Sequence, residues 1–339
     1  MLFAKVRKNI GERVRKELLH REVLSANYKV KTDNHFVYFP VTRKINLHGV
    51  HYITIVVEPQ KKKPKSVVEY LEEKYGKTTT QQLTKSFDIV GDIAIVELPE
   101  RLAHFDSKVA EAVIAIHPNI KVVAKKLGAM SGEFRVRPMK VIYGENRTET
   151  IHRENDCLMK VDVARAYFSV RLSTERMRIA TLVREGENVL VMFSGVAPFA
   201  LVIAKRKPHT KIVCIELNEV AVQYANENVK LNKFYNIENI CGDVKDVIPE
   251  RFLNWADRVV MPLPKTSNEF LDVAFKAAKN GAMIHLYHIG DFENAEELIH
   301  KVAKENNASV NITGHHIVRP YAPRLDQICV DFVVRKKNQ

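Results

Sequence analysis

Two carboxylates and one glycine stand at the ends of three consecutive segments of strand-like sequence. Gly195 follows the apolar run 188–193, and Glu216 lies near the end of the run 211–217, twenty-one residues after that glycine. Glycine lets a ligand approach the backbone closely, and a carboxylate on the next strand can accept hydrogen bonds from both hydroxyls of a ribose. Asp243 follows the third run, where it can accept a hydrogen bond from an adenine amino group. The spacing therefore predicts a pocket for an adenosine-containing cofactor.

The loop around Gly195 also indicates the class of cofactor. Dinucleotide binding favours the motif GxGxxG, in which glycines approach a pyrophosphate, but residues 193–199 have the sequence FSGVAPF. S-adenosylmethionine has no pyrophosphate, so a single glycine suits it better. The alternative is an ordinary sheet loop with two solvated carboxylates.

A candidate general base lies just before the first of these strands. Glu175 and Arg176 begin a predicted amphipathic helix that would pack near the end of that strand. A carboxylate close to the cofactor could remove a proton from a substrate. The commoner role of an acidic residue in a first helical turn is to complement the helix dipole. The residues alone leave both interpretations open.

These residues need a scaffold, and the sequence from about residue 160 supplies one. Strand-like and helix-like segments alternate, and Asn218 can cap the helix after the second strand. Such alternation predicts a parallel sheet with helices on both faces. The predicted strands are 188–193, 211–217, 237–241, 258–261, 282–287, 310–316 and 328–334. The predicted helices include the one that Asn218 caps, which ends near residue 233, and two more over 268–279 and 295–306.

Two smaller α+β units are predicted ahead of this scaffold. The first has a helix over 11–20 and strands over 36–41 and 51–57, and the proline- and lysine-rich segment 59–65 is a predicted linker. In the second, Ser66 and Glu69 form a predicted capping box and Gly76 a helix stop. Its other predicted elements are a strand pair or a single bulged strand over 87–98, a helix over 103–117, and strands over 121–125 and 133–141.

The charge of the chain is concentrated at one end. The 339 residues contain 53 Lys and Arg and 40 Asp and Glu, a net charge of +13. Residues 1–66 hold fifteen of the basic and five of the acidic residues, a net charge of +10. A basic module suggests a polyanionic partner, most plausibly nucleic acid. The alternative is a lysine-rich surface that only maintains solubility.

Several protein classes are excluded by the composition. No apolar run is long enough to span a bilayer, and the first residues lack the apolar core of a signal peptide, so we expect a cytoplasmic protein. The four cysteines are far apart, which argues against disulfides and a cysteine zinc site. His285 and His288 would lie on opposite faces of a strand, so no metal site is predicted there.

Five segments of the chain, taken in order, resemble a known family. They are SFDIVGDIA (86–94), GEFRVR (132–137), TETIHREN (148–155), KVDVARAYFS (160–169) and RLSTER (171–176). The chain resembles the archaeal and eukaryotic tRNA guanosine-37 N1-methyltransferases, and the resemblance covers nearly its whole length. It implies an α/β protein in which a Rossmann-like class I methyltransferase domain, with a mostly parallel seven-stranded sheet, follows two small α+β domains.

The resemblance also implies domain roles. Residues 1–60 would dock on the outer corner of tRNA, residues 66–158 would grip the anticodon arm, and residues 159–339 would bind S-adenosylmethionine and catalyse transfer. We expect a monomer.

Roles for single residues follow from the positions that match the family. Glu175 corresponds to the proposed general base, Arg176 beside it would orient the site, and Arg135 would contact the target guanine. N1 of guanine carries a proton that must leave before methylation, and Arg135 would stabilise the charge that develops on O6. The target base must also leave its stack to reach the pocket. The residues predicted to line the cofactor pocket are Tyr167, Phe193, Gly195, Val196, Glu216, Leu217, Asp243 and Pro262.

Four positions depart from the usual pattern of the family. Val191 replaces an aspartate, Ala197 a glycine, Val170 a proline, and Pro262 an asparagine that can bond the target base. An archaeal subgroup shares that proline, and its members also methylate carbon-7 of 4-demethylwyosine in tRNA-Phe. We therefore hypothesise this second activity for the chain.

Three other functions stay open. One is transfer of the aminocarboxypropyl group of the same cofactor in wyosine synthesis. The others are a weakened paralogue and a non-catalytic RNA-binding protein on a methyltransferase scaffold.

Overall fold

The computed structural model describes residues 1–58, 64, 66–76, 87–128, 132, 134 and 136–337. The predicted linker 59–65 lies outside these residues except for Pro64, and Arg135 lies outside them too. The chain divides into two compact units, Met1–Glu69 and Tyr70–Gln339. Among the helices of the described residues, none combines the length and apolar character needed to span a lipid bilayer.

The first unit is a four-stranded antiparallel sheet with one helix. Its elements are β1 (Leu2–Arg7), α1 (Gly11–His20), β2 (Lys31–Thr32), β3 (Phe36–Pro40) and β4 (Val50–Thr54), with the strands in the order β2-β3-β1-β4. Val14 and Leu18 on one face of α1 pack against Val6 and Phe39 of the sheet. The predicted helix and two strands are confirmed, whereas β1, one of the two inner strands, and the short edge strand β2 were not predicted.

One helix crosses the boundary between the two units, and a mixed sheet follows it in the second unit. Ser66 Oγ accepts the Glu69 N–H at 3.1 Å, and Gly76 follows the first helix with a φ of +85°, so the predicted cap and stop are confirmed. A hairpin that was not predicted follows the sheet. The elements are α2 (Val67–Tyr75), β5 (Asp88–Val90), β6 (Ile93–Val96), α3 (Asp106–Ile116), β7 (Val122–Lys126), β8 (Met139–Gly144), and the hairpin strands β9 (Glu149–Glu154) and β10 (Cys157–Asp162).

A seven-stranded sheet forms the rest of this unit and confirms the predicted fold class. The strand order is β13-β12-β11-β14-β15-β17-β16, and β17 alone runs antiparallel to its neighbours. The elements are α4 (Ser173–Leu182), β11 (Asn188–Met192), α5 (Pro198–Arg206), β12 (Lys211–Glu216), α6 (Glu219–Leu231), β13 (Ile237–Cys241), α7 (Val244–Arg251), β14 (Ala256–Met261), α8 (Leu271–Ala277), β15 (Ala278–Ile289), α9 (Phe292–Glu305), β16 (Ala308–Ala322) and β17 (Leu325–Lys336).

Alternate residues of β11 build two separate cores. Leu190 and Met192 pack with residues of α7, α8 and α9, whereas Val189 and Val191 pack with residues of α4, α5 and α6. Both faces of the sheet are therefore covered by helices, as the unbroken apolar sequence of β11 predicts for a buried parallel strand.

Candidate functional site

Four parallel strands end together at one edge of the large sheet. β11, β12, β13 and β14 end at Met192, Glu216, Cys241 and Met261. From β11 the chain continues to β12 and β13 on one side, and it then returns to the other side of β11 as β14. The strand order reverses between β11 and β14, and open α/β sheets bind ligands in the crevice at such a point.

The loop after β11 brings its backbone into this crevice through an uncommon conformation. Phe193, Gly195 and Ala197 have φ angles of +52°, +56° and +64°. A Cβ atom on Gly195 would lie 3.3 Å from the carbonyl oxygen of Tyr167, so a larger residue would crowd this approach. Ala197 adopts the left-handed conformation just before α5, at a cost of about 1 kcal/mol relative to glycine. The turn is thus retained although the second glycine of the family is missing.

Glu216 is a half-buried acceptor at the crevice. One carboxylate oxygen accepts the Gly195 N–H at 2.7 Å and the other accepts the Asn218 N–H at 2.9 Å. Burial raises the pKa of Glu216, against the opposing effect of these two hydrogen bonds. A carboxylate has about four acceptor positions, so about two remain for hydroxyl donors. This arrangement fits the two hydroxyls of a ribose.

Leu217 and Asp243 flank Glu216. Leu217 is 37% exposed and offers an apolar surface beside the carboxylate. Asp243 is half-buried and caps α7 by accepting the Lys245 N–H at 2.8 Å. The Gly242 N–H donates to the backbone oxygen of Glu216 at 3.0 Å, which joins the ends of β12 and β13. The two predicted carboxylates therefore lie at the ends of neighbouring strands.

The other residues predicted to line the cofactor pocket differ in whether the side chain or the backbone is available to a ligand. Phe193 packs against Phe270 with ring centroids 4.8 Å apart, and Pro262 directly follows β14. Tyr167 is half-buried and approaches Gly195 through its backbone oxygen. The Val196 side chain is fully buried in a separate apolar cluster, so only its backbone is available to a ligand.

Val191 does not disturb this edge. Its side chain is fully buried and packs in the same core as Cys214 and Val260. Ala197 is also buried in that core. An aspartate at position 191 would need polar partners among these apolar groups, so the valine is consistent with its surroundings.

Glu175 is buried within a ring of donors. Its Oε1 accepts hydrogen bonds from Arg178 at 2.8 Å and from the Tyr287 hydroxyl at 2.5 Å. Its Oε2 accepts from Arg178 at 2.9 Å and is bonded to Nε2 of His316 at 2.9 Å. Burial alone would raise the pKa of Glu175, but the Arg178 cation and the other donors outweigh it and lower this pKa. Glu175 is therefore held as an ionised acceptor.

Arg176, the next residue, points to a different partner. Its guanidinium makes two hydrogen bonds of 2.6 Å to the Glu154 carboxylate and a third, of 2.9 Å, to the backbone oxygen of Ser169. Arg176 and Glu154 are both buried, so this pair fastens α4 to the β9–β10 hairpin. These contacts show that Arg176 links α4 to neighbouring parts of the chain. Its predicted role in orienting the site stays a prediction. The predicted roles of the other site residues stay predictions too.

A hydrogen-bonded chain of buried and half-buried polar residues extends from Glu175, and sequence reasoning missed it. Arg178 also binds Asp331 at 2.6 Å, and Asp331 is bonded to Nδ1 of His285 at 2.6 Å. The other ring nitrogen of His285 lies 2.7 Å from the guanidinium of Arg258, which pairs with Glu187. The one local signal was the spacing of Glu175 and Arg178, because residues three apart lie on the same face of a helix.

Part of this chain has the composition of a metal site. His285, Cys329 and Asp331 place ligand atoms within 4.8 Å of one another. Both ring nitrogens of His285 already have partners, and the guanidinium groups of Arg178 and Arg258 adjoin the cluster. Two neighbouring cations disfavour a bound metal ion, so we assign these residues to the hydrogen-bonded chain.

Three family profiles match consecutive parts of the chain. The tRNA methyltransferase 5 N-terminal domain matches residues 5–46, and the TYW2 N-terminal domain matches residues 67–148. The TRM5/TYW2 methyltransferase domain matches residues 150–311.

Two curated relatives illustrate the range of names in this group. The tRNA (guanine(37)-N(1))-methyltransferase Trm5b of Pyrococcus abyssi is 38% identical over 98% of this chain and 99% of its own. The tRNA (guanine(37)-N(1))/4-demethylwyosine(37)-methyltransferase Taw22 of Nanoarchaeum equitans is 31% identical over 64% of this chain and 88% of its own.

Two solved structures share the fold. The complex of aTrm5 with tRNALeu has a TM-score of 0.81 and 32% identity, and it covers 98% of this chain and 99% of its own. TYW2 of M. jannaschii in complex with AdoMet has a TM-score of 0.59 and 26% identity, and it covers 74% of this chain and 100% of its own. The sequence, the sheet order and the profiles agree, and the chain belongs to the TRM5/TYW2 methyltransferase family.

Proposed function

We propose that the chain methylates N1 of guanosine 37 in the anticodon loop of tRNA, with S-adenosylmethionine as methyl donor. The observation that carries the proposal is the half-buried Glu216 carboxylate, which is bonded to the Gly195 N–H at the switch point and has acceptor positions left for a ribose. Family membership and the names of the relatives support the same reaction.

The residues of the crevice would bind the adenosyl group. Glu216 accepts hydrogen bonds from the ribose, Asp243 accepts from the adenine amino group, and Phe193 and Leu217 provide apolar walls. The bound cofactor supplies a methyl group on a sulfonium, which reacts directly with a nitrogen nucleophile. The protein then contributes mainly by placing that nitrogen in line with the methyl group.

Glu175 has the chemistry to remove the proton from N1. The N1–H bond breaks, the proton passes to a Glu175 oxygen, and N1 forms its new bond to the methyl carbon as the bond to sulfur breaks. The lowered pKa keeps Glu175 ionised, which is the form that a proton acceptor must have. Arg135 would stabilise the charge on O6.

The domain roles are part of the proposal. Residues 1–60 dock on the outer corner of the tRNA, residues 66–158 hold the anticodon arm, and residues 159–339 carry out the transfer. The net charge of +10 in residues 1–66 supports a polyanionic partner, and the profile matches follow a similar division. Monomeric state and cytoplasmic location stay predictions.

Mass analysis of nucleosides tests the proposal directly. The protein is incubated with S-adenosylmethionine and tRNA that carries guanosine 37, and the tRNA is then digested. We expect 1-methylguanosine at position 37. A product heavier by an aminocarboxypropyl group would support the alternative enzyme, and calorimetry without detectable cofactor binding would support the RNA-binding alternative.

Deletion of residues 1–58 is expected to raise the Kd for tRNA by about tenfold or more and to flatten its dependence on salt, because many phosphate contacts would be lost. The Kd for S-adenosylmethionine should not change. Residues 1–58 lie within the first compact unit, Met1–Glu69, so the deletion leaves the second unit, Tyr70–Gln339, whole. Filter binding over a series of salt concentrations measures the effect, and an unchanged salt slope would contradict the docking role.

Pro262 is the reason for our hypothesis of a second activity, the methylation of carbon-7 of 4-demethylwyosine. Pro262 follows the last residue of β14 and is half-buried at the edge of the sheet where β11, β12, β13 and β14 end. Asparagine in its place is expected to shift the preference from 4-demethylwyosine toward guanosine by about tenfold, the effect of one hydrogen bond. Single-turnover rates on the two tRNAs measure the ratio. Pro264→Asn is the matched control, and an equal shift there would remove the assignment.

A further inference from the structure

The acceptor positions of Glu175 are all occupied in the free protein. A carboxylate has about four acceptor positions, and Arg178 fills two of them. The Tyr287 hydroxyl fills a third, and His316 fills the fourth. A proton from a substrate can therefore reach Glu175 only if one of these donors leaves.

Three of the four donor contacts are fixed by their surroundings. Tyr287 is fully buried, and Arg178 is held on its far side by two contacts to Asp331, of 2.6 Å and 3.3 Å. His316 is held less firmly than both, because its contact with Glu175 is the one hydrogen bond that its side chain makes within the part of the chain that the structure describes. Its side chain is 32% exposed, and it lies on β16, the edge strand of the sheet. His316 is the donor that can leave at the lowest cost.

The strand register places His316 level with the edge of the sheet where β11, β12, β13 and β14 end. Leu286 of β15 pairs with Met261, the last residue of β14, so Tyr287 is level with Pro262. Tyr287 pairs with Cys329, and Cys329 pairs with His316. One row of the sheet therefore contains the residue after β14, the Tyr287 donor and the His316 donor.

The group that His316 donates to Glu175 resembles the group that the proposed substrate would donate. A ring N–H of imidazole that donates to a carboxylate is the same type of group as the N1–H of guanine. Because His316 Nε2 lies 2.9 Å from Oε2 of Glu175, that oxygen already binds a ring nitrogen at a distance suited to proton transfer from N1.

We propose that Oε2 of Glu175 is the oxygen that accepts the N1 proton, that His316 occupies its place until the target base displaces it, and that Arg178 is the positioning residue that holds the carboxylate. This inference rests on the proposed function and assigns its base-recognition contact. The proton leaves N1 for Oε2, and the displaced imidazole turns toward solvent.

Arg178 and His316, two of the three partners of Glu175, should therefore respond differently to mutation. Arg178→Gln frees the carboxylate to move and is expected to lower the single-turnover methylation rate by about 10²-fold, the cost of a small misplacement. His316→Ala opens Oε2, so it is expected to retain the rate and to tighten binding of tRNA with guanosine 37 by about 2- to 10-fold. Arg178→Lys keeps the charge and should restore part of the rate.

A pH profile separates positioning from a loss of folding. The charged and titratable groups that face Glu175 are Arg178, Tyr287, His316, Cys329 and Asp331. Removal of the Arg178 cation raises the pKa of Glu175, so the acidic limb of the rate profile should move to higher pH in Arg178→Gln. With lysine at 178 the limb should stay close to that of the wild type.

Two controls make the test specific. His315 neighbours His316 in sequence but stacks on Phe292 with ring centroids 4.0 Å apart, so His315→Ala should not change tRNA affinity. N1 of adenosine carries no proton, so His316→Ala should not tighten binding of tRNA with adenosine 37.

The proposal and the function on which it rests fail in different ways. If the wild type forms no 1-methylguanosine, the proposed function is wrong. If the wild type is active but His316→Ala loses rate as Arg178→Gln does, or binds guanosine-37 tRNA no more tightly, the displacement model is overturned.

Discussion

Replacement of Glu175 by glutamine is expected to lower the single-turnover rate of N1 methylation by about 10²- to 10⁴-fold, the usual contribution of a positioned base. Glutamine has nearly the same size but cannot take up the proton, and its amide group would oppose the Arg178 donors that bind both carboxylate oxygens. The Kd for S-adenosylmethionine should not change, because Glu216 and not Glu175 is the proposed ribose acceptor. Rapid-quench measurements at saturating tRNA and cofactor give the rate.

A matched control separates lost chemistry from lost packing. Glu149 also accepts a tyrosine hydroxyl, from Tyr224 at 2.7 Å, and pairs with a cation, Lys160, at 3.2 Å. Glu149→Gln should therefore retain the methylation rate even if it lowers the melting temperature. If Glu175→Gln methylates at the wild-type rate, the assignment of Glu175 as base is wrong.

The scaffold could be predicted because its signals are local. The apolar run before Gly195 predicted β11, and Asn218 was correctly identified as a cap, since its side chain accepts the Val220 N–H at 3.0 Å. Carboxylates at the ends of predicted strands could be placed at one edge of the sheet without coordinates, because parallel strands all end on the same side.

The surroundings of Glu175 could not be predicted in the same way. Tyr287 and His316 are 112 and 141 residues away from it along the chain, and neither lies in a motif. The family motif directed attention to Arg176, the next residue. Helical geometry turns successive side chains by about 100°, so the residue on the same face as Glu175 is Arg178. A helical projection of RLSTERMR would have identified this pair.

The small β elements were missed for a related reason. β1 and the two strands of the β9–β10 hairpin are only six residues long, and their sequences (LFAKVR, ETIHRE and CLMKVD) show no regular alternation of polar and apolar residues. Their stability depends on partners elsewhere. A side chain on Gly91, in the turn between β5 and β6, would lie 2.3 Å from the Thr150 hydroxyl on β9, and this close packing has no local signature.

Glu216→Ala is expected to raise the Kd for S-adenosylmethionine by about 10²-fold or more, because two hydrogen bonds to a charged acceptor are lost. The effect should depend on pH. The hydroxyls of the ribose bind the ionised carboxylate, and burial raises the pKa of Glu216, so affinity in the wild type should weaken as the pH falls toward this raised value. In Glu216→Ala that dependence should disappear. Isothermal titration calorimetry over a pH series measures both effects.

Glu219 provides the control for this experiment. It lies three residues after Glu216 and is exposed, and within the described part of the chain its carboxylate accepts a side-chain hydrogen bond only from Gln223. Glu219→Gln should leave the cofactor affinity and its pH dependence unchanged. An unaltered Kd in Glu216→Ala would mean that the ribose is bound elsewhere. The contact between Glu216 and the Gly195 N–H would then serve only to fix the loop after β11, and the adenosine pocket would have to be sought away from the switch point of the sheet.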